Sequence, residues 1–326
     1  MNKLTDLEGK SVVITGASSG AGRAIALEFA KYQANIIISS RNETALNEVK
    51  AECEQFGAQV LVVTADTSDV KAMINLANEA IKWQDRIDVW INNAGVLAAG
   101  DFEVIPMIVH EQVIKTNLLG YMNGAHAVLP FFKEQGWGTL INNISVGGFL
   151  PVPYGSGYTA SKFGLRGWSE ALKGELTAWK YIYVCDLFPA FLDTPGIQHA
   201  ANYTGKVLKP APPVYDPVRL ARAIVKVAAN PASNTYVGSI SLLLKFSHAF
   251  FPEFTTKITS AVMRGYFNAA KPAPLNDGNI FSSVNYGTSI HGGFGMPGEP
   301  KAHRKFIAGA LLTGLAAGYL LFQKKR

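Results

Sequence analysis

From Ser11 to about Ile240, short apolar runs alternate with longer amphipathic stretches, and that alternation leaves few folds open. The runs SVVITG (11–16), ANIIISS (34–40), AQVLVVTA (58–65), DVWINNAG (88–95), WGTLINNIS (137–145) and YIYVCDLFP (181–189) read as strands buried on both faces. The stretches between them, such as 22–32, 43–56 and 70–83, repeat apolar residues at three- and four-residue spacing and predict helices. Strand, helix, strand in series predicts an α/β fold: one parallel, doubly wound sheet whose ligand crevice lies at the carboxyl ends of the strands, where their order reverses. Beyond Pro189 the pattern loosens over 195–215, a stretch suited to a substrate lid, and a helix is expected from Pro217 with Asp216 as its cap. The segment 241–267 is rich in Phe and Leu, which fits either core packing or the wall of a lipophilic pocket. Residues 271–300 hold six Gly and four Pro and predict a linker or extended tail.

Composition narrows the partners. With 326 residues and 48% apolar content the chain is not a disordered one. The net charge is +6, but Lys301, Arg304, Lys305, Lys324, Lys325 and Arg326 supply all of it, so residues 1–300 are neutral overall. A nucleic-acid partner is not expected, because such a protein clusters its basic residues on the folded surface. Cys53 and Cys185 lack metal-ligand spacing; no metal is expected, and both read as reduced, buried thiols. No apolar signal-peptide region precedes the first strand. Phe306–Phe322 is uncharged and flanked by basic clusters, and its 17 residues would span about 25 Å as a helix against a hydrocarbon core of about 30 Å. With Lys305 and Lys324 snorkelling, it is expected to anchor in membrane lipid; a buried core helix and an oligomerisation helix are the alternatives.

Two motifs carry chemistry. The first strand runs into a turn with Gly16, Ser18, Ser19, Gly20 and Gly22 and then a helix, so the backbone can approach a pyrophosphate that faces helix N-terminal amides. Tyr158 and Lys162 stand four residues apart on one helix face, where an ammonium would draw the phenol pKa down from about 10 toward working pH.

With these motifs the chain resembles the classical short-chain dehydrogenase/reductase family over about residues 8–240. The glycine spacing, Asp66 after strand three, Asn92-Asn93-Ala94-Gly95 after strand four, and Asn117, Ser145, Tyr158 and Lys162 follow in that family's order. The resemblance implies a Rossmann-type sheet and interconversion of a carbonyl and a secondary alcohol. It implies a cofactor held by Gly16, Ser18, Ser19, Gly20, Gly22, Asp66, Asn93, Ala94, Gly95, Tyr158, Lys162, Pro189 and Thr194. By the same resemblance Tyr158 exchanges a proton with the substrate oxygen, Ser145 holds that oxygen, Lys162 tunes Tyr158 and holds ribose hydroxyls, and Asn117 positions a water. At the end of strand two, Ser40 stands where an NAD enzyme places an acid and Arg41 follows it, which resembles the NADP-preferring type. One departure is Pro189-Ala190 where the family usually has Pro-Gly, so Ala190 restricts the backbone of the substrate loop.

The expected organisation is a catalytic domain at 1–270 with a C-terminal lobe at about 190–270, a linker at 271–300 and an anchor at 301–326. The expected activity is an NADP(H)-dependent oxidoreductase for a small lipophilic carbonyl or alcohol. A homo-oligomer is expected, membrane-associated with its catalytic domain on the cytoplasmic side. A membrane-held, non-catalytic NADP-binding scaffold or redox sensor is the alternative, since a fold alone does not specify catalysis.

Overall fold

The computed structural model describes residues 7–295. The strands are β1 (Ser11–Thr15), β2 (Asn35–Ser40), β3 (Val60–Thr64), β4 (Val89–Asn92), β5 (Ala98–Ala99), β6 (Gly138–Asn143), β7 (Ile182–Pro189), β8 (Ala201–Asn202) and β9 (Asn234–Val237). Seven of them form one parallel sheet in the order β3-β2-β1-β4-β6-β7-β9, and β5 pairs with β8 beside it. The helices are α1 (Gly20–Ala30), α2 (Glu43–Glu54), α3 (Val70–Gln84), α4 (Met107–Ile114), α5 (Gly120–Gln135), α6 (Ser156–Glu175), α7 (Pro217–Ala229), α8 (Ser239–Phe250) and α9 (Pro252–Ala269).

The period-two geometry of a strand explains why the runs are apolar throughout. Val12 and Ile14 of β1 and Ile36 and Ile38 of β2 pack on the layer holding α1, α2 and α7, whereas Val13 and Ile37 pack on the layer holding α3, α5 and α6. Each fully buried side chain, such as Phe29 or Phe132, contributes about 1.5–3 kcal/mol relative to exposure. Asn42, Asp69 and Asp216 accept backbone N–H bonds at the starts of α2, α3 and α7, at 3.0, 2.8 and 2.9 Å, so the expected Asp216 cap is present. The chain steps from β1 outward to β3 and then returns to place β4 on the other side of β1. A crevice therefore opens over the ends of β1 and β4.

Three features go beyond the reading of the sequence. Asn117 lies in a π-helical turn, Lys115–Leu119, between α4 and α5 rather than in a regular helix. The Phe-rich segment forms α8 and α9, in which only Ser241 is buried; of its two expected roles, core and pocket wall, burial excludes the core. Residues 271–295 are not a free linker, because their main chain is tied to the catalytic body: Asn276 pairs with Asn202, Asn279 N–H donates to His199 O at 2.8 Å, and Ile280 is fully buried. Among the described residues no helix is long and apolar enough to cross a membrane. The apolar segment 306–322, with its expected anchor, lies outside the described residues.

Candidate active site

Every cofactor-binding residue expected from the sequence lines one cavity of about 880 Å³ at the ends of the strands, as do Ser145, Tyr158 and Lys162. Asn117 does not; it is buried behind the cavity wall. Its side chain is committed there, with Oδ1 accepting from Val96 N–H at 2.8 Å and Nδ2 donating to Val96 O at 2.9 Å and to Ser161 Oγ at 3.1 Å. Asn117 thus pins the loop after β4 to α6.

The glycine turn is built to bring backbone together. A Cβ on Gly22 would stand 2.0 Å from Gly16 O, and one on Gly16, whose φ is +66°, would stand 2.7 Å from Ala94 Cα. No larger residue fits either position. Asn93 clamps the same turn by donating from Nδ2 to Thr15 O at 3.0 Å and Gly16 O at 3.2 Å. α1 starts there with no side-chain cap and no acid in its first turn; its Gly20 N–H donates to Ser289 O at 2.9 Å, and the positive end of the helix still suits an anion. At the far end of the cavity, Arg41 lies 3.8 Å from Asp66, which also accepts from Ser68 N–H and Oγ. The Ser40 hydroxyl accepts from Asn42 N–H at 3.1 Å. These residues suit a dinucleotide with a 2′-phosphate: an anion-accepting turn at one end, a guanidinium beside an acid-free strand end at the other.

At the catalytic end, Ser145 sits two residues past β6 with φ +106° and ψ 155°, a conformation rare outside glycine and worth about 1–3 kcal/mol of strain. Its Oγ accepts from Gly147 N–H at 3.1 Å. A Cβ added at Gly147 would stand 3.6 Å from Ser145 Oγ and 3.8 Å from the Tyr158 hydroxyl, so both hydroxyls flank the same space beside Gly147. The first turn of α6 presents Tyr158, and Lys162 one turn on points its Nζ to 5.7 Å from the Tyr158 ring centre and 5.1 Å from that of Tyr121. Among the described residues this ammonium has no hydrogen-bond acceptor, which leaves its three N–H groups for a ligand.

The electrostatics differ from the expectation that Lys162 would hold the phenol pKa down. Burial pushes Tyr158 above its ordinary value, with the Ser145 hydroxyl acting in the opposite direction. Burial also brings Lys162 down to about 7. Between about 7 and the ordinary 10.5 the unfolded chain therefore holds a proton that the folded chain has released, and stability rises with pH across that window. Below it both states are protonated and the fold carries a buried ammonium. Lys162→Met should accordingly raise the Tm of the cofactor-free protein near pH 6, with the advantage shrinking toward about pH 10. A Tm at or below wild type near pH 6 would contradict this.

The loop after β7 settles the departure at Ala190. Its N–H donates to Val237 O at 2.9 Å, which carries the β7–β9 ladder one residue past Pro189, and Thr194 reaches the cavity wall. Sequence reasoning missed the residues that close the cavity on its outer side, Asn279, Ser283, Val284, Tyr286, Gly287 and Thr288. Aromatic and hydroxyl residues interleaved with the glycines were the available signal. Among the described residues there is no cluster suited to a metal ion.

Comparison with known proteins is consistent with this geometry. The family model for short chain dehydrogenases matches residues 10–203. The chain is 29% identical over 329 residues to an uncharacterized oxidoreductase, YxnA, of Bacillus subtilis, covering 97% of this chain and 91% of the relative. It is 32% identical over 246 residues to the 3-ketodihydrosphingosine reductase of Bos taurus, covering 73% of this chain and 74% of the relative. Among solved structures, a metagenomic short-chain oxidoreductase in complex with NADP superposes with a TM-score of 0.61 at 26% identity, covering 71% of this chain and 97% of that one.

Proposed function

The chain belongs to the short-chain dehydrogenase family, and from that premise we propose that it is an NADP(H)-dependent reductase that converts a lipophilic ketone to a secondary alcohol through Tyr158. The observation that carries this reading is the placement of the Ser145 and Tyr158 hydroxyls beside Gly147 in the cofactor cavity, with the Lys162 ammonium 5.7 Å from the Tyr158 ring centre. NADPH, when bound, supplies a hydride to the carbonyl carbon. The glycine turn at Gly16, Gly20 and Gly22 with the start of α1 would hold its pyrophosphate, Arg41 its 2′-phosphate, and Lys162 its nicotinamide ribose.

The residues of the chain do the rest. Ser145 Oγ donates to the substrate oxygen and fixes it beside the phenol. Tyr158 gives its proton to that oxygen as negative charge develops there. Burial holds Tyr158 toward the neutral phenol, the form that has the proton carbonyl reduction consumes. Lys162, protonated, stabilises the phenolate left behind. Asn117 is a positioning residue, since it touches Val96 and Ser161 and not the cavity.

The cavity lining supports a lipophilic substrate: Leu150, Val152, Leu208, Ile258, Met263 and Phe267 line the same cavity as Tyr158. Phe246, Phe250 and Phe254 on α8 and α9, and Phe251 between them, are exposed on the lobe that supplies part of that wall. An apolar surface there, and the basic-flanked apolar segment 306–322, support association with a membrane from which such a substrate partitions. A series of 3-ketones of increasing chain length tests the reading. Each added methylene should raise kcat/KM about two- to fourfold until the wall is filled. A flat or falling series would exclude a lipophilic substrate.

A further inference from the structure

The segment that composition marks as a linker crosses the outer side of the cofactor cavity, and its main chain makes the contacts. Asn279 O accepts from Arg41 NH2 at 2.5 Å and Ile280 O from Arg41 NH1 at 3.3 Å. Val284 O accepts from Asn42 Nδ2 at 3.1 Å, Thr288 O from Arg23 at 2.7 Å, and Ser289 O from the Gly20 N–H of the phosphate turn at 2.9 Å. The far end is buckled by Asp193, which is buried and whose Oδ1 accepts from Gly292 N–H at 3.1 Å and Phe294 N–H at 2.8 Å. Glycine is required where this chain presses on the loop after β7: a Cβ on Gly287, at φ +66°, would stand 2.4 Å from His199 Nε2. The family model matches residues 10–203, so this segment lies outside the matched residues.

We propose that residues 276–292 form the outer wall of the cofactor site and set its preference for a 2′-phosphorylated dinucleotide, with Asp193 as the positioning residue that holds the wall in place. The proposal rests on the cofactor reading above. Arg41 is a long, flexible side chain with an acid, Asp66, 3.8 Å away as a competing partner. The two wall carbonyls take one N–H from each terminal nitrogen and fix the plane of the guanidinium, which leaves its other N–H groups for the phosphate. A dinucleotide without the 2′-phosphate makes no use of that orientation. Pre-ordering one such side chain is worth roughly three- to tenfold in affinity.

The test compares NADPH and NADH dissociation constants by titration of the full chain. Asp193→Ala should lower the NADPH-over-NADH preference about three- to tenfold, mainly by weakening NADPH. Asp193→Asn keeps the accepting oxygen and should retain the wild-type preference. Gly287→Ala, which displaces the wall from the opposite side, should lower the preference in the same way. In an Arg41→Ala background the Asp193→Ala effect should vanish, since the wall acts through that guanidinium. An unchanged preference in Asp193→Ala and Gly287→Ala, or equal weakening of both dinucleotides, would overturn the proposal while leaving the cofactor reading intact. A wild type that does not prefer NADPH would overturn the cofactor reading and this proposal with it.

Discussion

Replacing Tyr158 with Phe is expected to lower kcat at least about 100-fold while leaving NADPH affinity within about twofold of wild type. The substitution deletes one oxygen from the first turn of α6 and keeps the ring that packs beside Gly147 and Lys162. Packing is preserved, so a loss of turnover reports on the proton and not on the fold. With the phenol gone, the substrate oxygen keeps only the Ser145 hydroxyl, which can share charge but is not paired with an ammonium able to stabilise its conjugate base. Single-turnover kinetics separate this outcome from a binding defect, because the expected change lies in the chemical step and not in the approach to saturation.

Arg41→Ala should weaken NADPH binding about 100-fold and leave NADH nearly unaffected. The end of β2 offers Ser40, Arg41 and Asn42, and of these Arg41 is the cation. Two charge-assisted hydrogen bonds to a phosphate dianion at about 1.5 kcal/mol each, the low end for a guanidinium only partly buried, account for the magnitude. The loss should also shrink as ionic strength rises, because the guanidinium is only partly buried and its Coulomb attraction is screened. Equilibrium titration with both dinucleotides at two salt concentrations checks both statements. Equal affinities for NADPH in wild type and variant would remove Arg41 from the site.

The parts of this molecule that were legible in the sequence are those where chemistry dictates residue type and spacing together. Gly16 and Gly22 are forced by a turn in which a Cβ meets backbone. Tyr158 and Lys162 need one helical turn between them, and Asp216 ahead of Pro217 states where α7 begins. Both helix faces of the sheet were written in β1 and β2, whose alternate residues enter opposite cores. What stayed hidden depends on contacts between residues far apart in the chain. A Gly-rich composition describes a free linker and a closely packed strap equally well, and only contacts such as Asp193 with Gly292 and Phe294, or Arg41 with Asn279, distinguish them. Apolar residues in α8 and α9 could have served core or cavity, because both are apolar environments; the absence of burial in α9 decided it. The Ser145 backbone and the π-turn at Asn117 are local distortions that tertiary packing imposes, and neither leaves a mark in residue type.

On the proposed function, this cavity reduces a carbonyl and does not merely hold a dinucleotide. Single-turnover NADPH oxidation with a long-chain 3-ketone, followed at the nicotinamide absorbance together with the alcohol formed, tests it most directly. Stoichiometric conversion by the wild-type chain, abolished in Tyr158→Phe that still binds NADPH, is the predicted result. Tight NADPH binding with no alcohol formed across short- and long-chain ketones, or equal conversion by Tyr158→Phe, would contradict the account.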